Sequence, residues 1–208
     1  MNFLAHAAVA RRIDDDPAFV LGAILPDLLP MAGLPVRSGH GHLGRHEETV
    51  TRTAAGWALH HRVDEVFHDL PAFRAGVQAL RLDLRSTPLD TGPRRAVAHV
   101  GWELLLDDAL ADDETTVTAF RAALARGRDA FDDAYWHALV DRLIAVHPHG
   151  PSTSRAIAER VGRAVGRRPR LAFGSTHLDD VAAVLDRHRS TIVDAAPRIV
   201  DDVTRAAR

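Results

Sequence analysis

The sequence contains no cysteine and no lysine. Without thiols there is no disulfide framework and no thiolate chemistry, so any bound metal must rest on His, Asp and Glu. All 26 basic residues are arginine; with so much Ala and Asp, genomic base bias explains this more simply than function does. Aromatic residues make up only 5% of the chain, too few to interleave with basic residues as base-stacking platforms, so nucleic-acid binding is not expected. No apolar run approaches the ~18 residues of a membrane span. The segment Met1-Asn2-Phe3-Leu4-Ala5-His6 lacks the basic stretch and apolar core of a secretory signal. No membrane association is expected, and the expected location is the cytoplasm. Strand-like alternation, repeats and linkers are missing as well. The expectation is a single all-α domain over residues 1–208, a helical bundle.

What is present is an ordinary globular composition: 208 residues, 46% hydrophobic, 26% charged, formal net charge -2. A chain of this length buries roughly 70% of its unfolded surface. Histidine is unevenly spread. Of 13, seven (His6, His40, His42, His46, His60, His61 and His68) fall in the first third.

The most informative stretch is Gly56 to Asp69. Trp57, Leu59, Val63, Val66 and Phe67 recur at helical intervals. Residues three and four apart share a helix face, which puts His60 and His61 beside Asp64, and His61 beside Glu65 and His68. An imidazole and a carboxylate one turn apart supply half of a divalent-metal site and need partners from other helices. The alternative for such a pair is a solvated face with an ordinary His–Asp hydrogen bond.

Elsewhere, periodicity predicts helices over Asn2–Ile13, Ala18–Leu29, from His46 through Asp69, and over Pro71–Leu84, Arg94–Leu110, Glu114–Arg126, Asp129–Val146, Thr153–Val165 and Thr176–Ala206. His6 lies close to the apolar stripe of the first helix, as either a satisfied core histidine or a ligand. Asp14-Asp15-Asp16-Pro17 is suited to capping the second helix. That helix is apolar all round and therefore expected to be buried. Its sole charge is Asp27, which would be costly there unless paired or bound to a metal. The loop over 31–44, with Ser38-Gly39-His40-Gly41-His42, is expected to act as a flap. On the helix at 94–110, His99, Glu103 and Asp107 are spaced by four on an otherwise apolar body. The expected partner of this polar seam is His60/Asp64. Segment 151–170 carries six Arg against one Glu, which suits either an anionic or acidic partner or a plain solvated face.

In order along the chain, several of these pieces resemble the acyl carrier protein phosphodiesterase family, a branch of the HD-type metal-dependent phosphohydrolases. They are Met1-Asn2-Phe3-Leu4-Ala5-His6, then Leu21-Gly22-Ala23-Ile24-Leu25-Pro26-Asp27, then Gly56 to Asp69 with His60, Asp64 and Asp69 on motif positions. Arg74 and Arg167-Arg168-Pro169-Arg170-Leu171 follow. One segment departs from the pattern: the family's Asp-x-x-Trp-Asp-His-Phe-Leu is here His99-Val100-Gly101-Trp102-Glu103-Leu104-Leu105-Leu106, with Leu104 where the family has His.

The resemblance implies an HD-like fold and removal of 4'-phosphopantetheine from holo acyl carrier protein with a divalent metal, manganese first, or else iron, zinc or magnesium. On the same basis the expected ligands are His60, Asp64, Asp27 and His99, with His6 and Glu103 as ligands or as groups that orient them. His61 or His68 would protonate the leaving serine, and Asp69 joins them among the catalytic residues. Arg62, Arg74 or the Arg167–Arg168 pair would clamp phosphate, and the 151–170 face would dock the acidic carrier protein. The alternatives are hydrolysis of another phosphoester such as a nucleotide, or a non-enzymatic helical binding protein.

Overall fold

The computed structural model describes residues 2–34, 47–128, 133–146 and 152–208. Among them the protein is all-α: α1 (Phe3–Arg11), α2 (Pro17–Met31), α3 (Glu47–Asp69), α4 (Pro71–Asp83), α5 (Thr91–Ala109), α6 (Glu114–Arg128), α7 (Ala134–Val146), α8 (Ser154–Gly166) and α9 (Leu178–Ala207). Short 3-10 turns at Leu84–Ser86, Leu110–Asp112, Pro169–Leu171 and Ser175–His177 join some of them. Each expected helix is present with ends shifted by a few residues. α2 continues through Pro26 and Pro30 to Met31, and α5 begins at Thr91, three residues before the expected Arg94. The start expected at Asp129, the connection from Pro148 to Pro151 and nearly all of the proposed flap, with His40, His42 and His46, lie outside the described residues. No helix among the described residues is long and apolar enough to cross a membrane.

Packing gathers the chain into two units, each assembled from separated segments. Unit 1 comprises Met1–Phe67, Leu110–Gly150 and Val200–Arg208. At its centre α2 packs on α1 and α6, and α6 packs on α7. Val20, Leu21, Ile24, Leu25 and Leu28 of α2, Phe120 and Leu124 of α6, and Trp136 and Val140 of α7 are buried there. The Trp136 indole N–H donates to the Gly127 carbonyl at 2.9 Å, so this aromatic anchor leaves no buried donor unsatisfied. Asp14 and Asp16 have structural roles. Asp16 caps α2 by accepting from the Ala18 N–H at 2.8 Å, and Asp14 pairs with Arg52 of α3 at 2.7 Å.

Two glycines let α2 and α3 meet backbone to backbone. A Cβ on Gly22 would stand 2.1 Å from the Thr53 carbonyl oxygen, and one on Gly56 would stand 2.0 Å from that of Phe19. The contact is reciprocal, and no side chain larger than hydrogen fits at either position.

Unit 2 comprises His68–Ala109 and Pro151–Ile199. Here α5 packs on α4 and α8; Val97, Trp102, Leu105 and Leu106 of α5, Ile157 and Val161 of α8, and Val181 and Leu185 of α9 are buried in this unit. Asp108 is buried and fully engaged: it accepts from Arg189 Nη1 at 2.5 Å and from the Ser152 N–H at 2.6 Å. A buried carboxylate is tolerated when its oxygens are satisfied in this way.

Gly56→Ala is expected to force α2 and α3 apart and to lower the unfolding free energy by about 1–3 kcal/mol, as overpacking does. Gly166→Ala, whose Cβ would meet nothing within 4 Å, is the matched control and is expected to leave the urea midpoint nearly unchanged. Equal midpoints for the two variants would contradict the close approach.

Candidate metal centre

The α2–α3 contact sets the first group of donors. Gly56 lies one turn before His60, so the glycine that admits α2 also brings the His60 ring against it. His60 Nδ1 lies 2.9 Å from the Ala23 carbonyl oxygen. A carbonyl can only accept, so Nδ1 carries the proton and Nε2 keeps its lone pair. That lone pair lies 3.4 Å from Asp64 Oδ2, one turn further along α3.

His6 enters from α1. Its side chain is wholly buried, and its ring stacks on His60 with centroids 4.1 Å apart. His6 Nε2 is 3.2 Å from Asp64 Oδ1 and 3.8 Å from Asp27 Oδ2. Among the described residues neither ring nitrogen of His6 makes a hydrogen bond. Each imidazole therefore presents Nε2 to a different oxygen of one carboxylate. Asp27, one turn after Ala23 on α2, is about a third exposed rather than fully buried, although its Oδ2 is out of reach of solvent.

Protonation states favour a cation. Burial, the largest influence, pushes the His6 pKa down from 6.5 to about 3, against the upward pull of Asp64. Burial likewise lowers that of His60, again against Asp64. Burial alone would raise the Asp64 carboxyl, but its contact with His6 contributes to holding it well below the usual carboxylate range. At neutral pH the group is thus two neutral imidazoles facing one carboxylate. With no proton between His60 Nε2 and Asp64 Oδ2, lone pair faces lone pair, an arrangement that a cation would relieve. Ligand atoms about 2.1 Å from a shared ion stand roughly 3.0–3.4 Å from one another. The 3.2 and 3.4 Å separations here match that spacing, and His6, His60 and Asp64 together fit a divalent metal.

The residues expected around one metal fall into two groups. His6, His60 and Asp64, with Asp27 beside them, belong to unit 1. His99 and Glu103 belong to unit 2, where they meet His68. Asp107 is buried and joins neither group. His61 is exposed and stands edge-on to His60, ring centroids 5.3 Å apart. Arg62 is exposed. Asp69 and Arg74 are both exposed and form an ion pair at 2.5 Å, so each is committed to the other. Sequence reasoning missed the Ala23 carbonyl as the group that orients His60. The available signal was Gly22 and Gly56, each inside a helix and each within one turn of a residue that makes this bond.

Chelator-treated protein is expected to lose stability on acidification from pH 6.5 to about 5.5. In that window the unfolded chain protonates His6 and His60 while the folded chain resists. The slope is about 1 kcal/mol per pH unit for each imidazole. Carboxylates with lowered pKa begin to act as pH nears their unfolded values of 3.8 to 4.5, so the slope is read above about pH 5.5, before they contribute. His6→Gln is expected to remove roughly half of the slope; an unchanged slope in urea titrations would contradict a neutral buried His6.

No protein family, curated protein or solved structure matches the chain.

Proposed function

We propose that the chain is a divalent-metal-dependent phosphodiester hydrolase, with holo acyl carrier protein as the substrate to test first. One observation carries this reading. A wholly buried imidazole and a second, carbonyl-anchored imidazole direct their Nε2 atoms at the two oxygens of one ionised carboxylate. His6, His60 and Asp64 would hold the ion, and Asp27 stands beside them. A divalent ion held there supplies the Lewis acidity that phosphoester hydrolysis needs at neutral pH.

The remaining roles belong to the chain's own side chains. The Ala23 carbonyl keeps the His60 tautomer fixed, as outer partners of ligating histidines do. Hydrolysis forms a bond from water oxygen to phosphorus and breaks the bond from phosphorus to the serine oxygen. His61, exposed beside His60, is the group proposed to deliver the proton that the departing serine alkoxide takes up. Arg62 is the proposed cation for a phosphate oxygen. In unit 2, Arg163, Arg167, Arg168 and Arg170 are all exposed, and this concentration of positive charge would favour encounter with an acidic carrier protein.

A second reading has its own support. Leu104 stands where the resembled family has histidine, and leucine can neither ligate nor transfer a proton. This favours an alternative phosphoester, such as a nucleotide, on the same metal.

Manganese-loaded protein is expected to release phosphopantetheine from holo carrier protein, and chelation to abolish the release. His60→Ala and Asp64→Ala are expected to lose the metal and at least about 100-fold in kcat/KM. His61→Ala is expected to keep the metal and lose about 100-fold or more in kcat. Turnover of nucleotides with none of carrier protein would select the second reading. Folded protein that takes up no manganese and cleaves neither substrate would overturn both.

A further inference from the structure

Unit 2 holds a donor group of its own that the proposed hydrolysis does not use. His99 and Glu103 are one turn apart on α5, and His68 lies in the last turn of α3. Both imidazoles bring Nε2 to the same atom: Glu103 Oε1 is 3.2 Å from His68 and 3.3 Å from His99. These separations again match the roughly 3.0–3.4 Å between atoms that share one first-row metal ion.

The donors are held in place by packing. Phe73 of α4 lies with its ring centroid 5.2 Å from those of His68 and His99, edge-on to both. Phe73 is itself fixed edge-on against Trp102, centroids 5.2 Å apart. The Trp102 indole fits there because residue 76 is glycine: a Cβ at that position would stand 2.0 Å from Nε1. The chain of contacts from Gly76 through Trp102 to Phe73 therefore settles where both histidine rings lie. Such support is what separates a preorganised site from three polar side chains that happen to be near one another.

Glu103 is well covered, with 16% of its side chain exposed, whereas His68 and His99 are 39% and 43% exposed. The carboxylate is thus set back and the imidazoles form an open rim. Burial pushes the Glu103 carboxyl up, but the two histidines outweigh it and keep the group ionised.

We propose that His68, His99 and Glu103 form a second divalent transition-metal site, independent of His6, His60 and Asp64. Two nitrogens and one carboxylate oxygen suit zinc, iron(II) or manganese rather than calcium or magnesium, which prefer all-oxygen shells. Three protein donors with an open side match metal sites that keep a position for an exchangeable ligand, in contrast to the closed four-ligand shells of structural zinc. The inference does not rest on the hydrolase reading, since neither group borrows a residue from the other.

The test is metal stoichiometry on the full chain, stripped with chelator, re-equilibrated with zinc or manganese, desalted and measured by elemental analysis. Wild type is expected to hold two ions per chain. Glu103→Gln and His99→Ala are each expected to hold one, Asp64→Ala is expected to hold one, and Asp64→Ala with Glu103→Gln none. Circular dichroism establishes that each variant is folded, and Phe73→Leu, which keeps every donor, is expected to weaken uptake of the second ion at least tenfold. Wild-type stoichiometry in folded Glu103→Gln and His99→Ala would overturn the proposal. So would a single ion per wild-type chain that Asp64→Ala alone removes, or loss of both ions from Glu103→Gln. Failure of the hydrolase reading is distinguishable: a wild type holding one ion that Glu103→Gln removes and Asp64→Ala does not would still support the second site.

Discussion

The approach of α2 to α3 at Gly22 and Gly56 is the constraint on which unit 1 depends. Two backbones come within contact because neither glycine has a side chain to keep them apart. The Ala23 carbonyl then lies within reach of His60 Nδ1, and Asp27 lies one turn beyond that carbonyl. One helix thus supplies both the acceptor that fixes an imidazole and a carboxylate beside its neighbour. The capping run reinforces the arrangement, since Asp14 also pairs with Arg52, one turn before Gly56. Helix ends, glycines and ionisable residues share one spacing along α3.

Buried polarity gives the arrangement its chemical meaning. Two stacked imidazoles in an apolar setting are costly if charged and costly if left without partners. The fold resolves part of this by anchoring His60 to a carbonyl and by keeping both rings neutral. What is left is a pair of rings directed at one anion, a donor set of the kind divalent metals bind. In unit 2 a similar donor set is held differently, by aromatic packing around Phe73. Hydrogen bonding fixes one group and ring contacts fix the other, so the rotamers are restrained in both.

The helices and the pairs within them were legible in the sequence. Apolar periodicity located every helix to within a few residues, because helix faces follow from local spacing alone. The same rule gave His60 with Asp64 and His99 with Glu103 as neighbours, and both are found together. Capping preference gave Asp14-Asp15-Asp16-Pro17 as the start of α2, which the bond from the Ala18 N–H to Asp16 bears out. Asp27 was read as wholly buried from the apolar character of its helix. It is about a third exposed instead, since the composition of one helix cannot tell which of its faces another element leaves uncovered.

Local spacing therefore determined the secondary structure and the candidate donors, and the lack of cysteine left His, Asp and Glu as the side chains that could serve. Tertiary structure alone decided how those donors are grouped. His6 joins His60 and Asp64 because α1 and α3 are brought together across more than fifty residues of chain, and His68 joins His99 and Glu103 through Phe73. Which polar residues face one another depends on how whole helices pack, and packing is set by side-chain volume at glycine and aromatic positions such as Gly22, Gly56, Gly76 and Phe73. The pattern of a helix states which of its residues share a face; it carries no record of the face opposite.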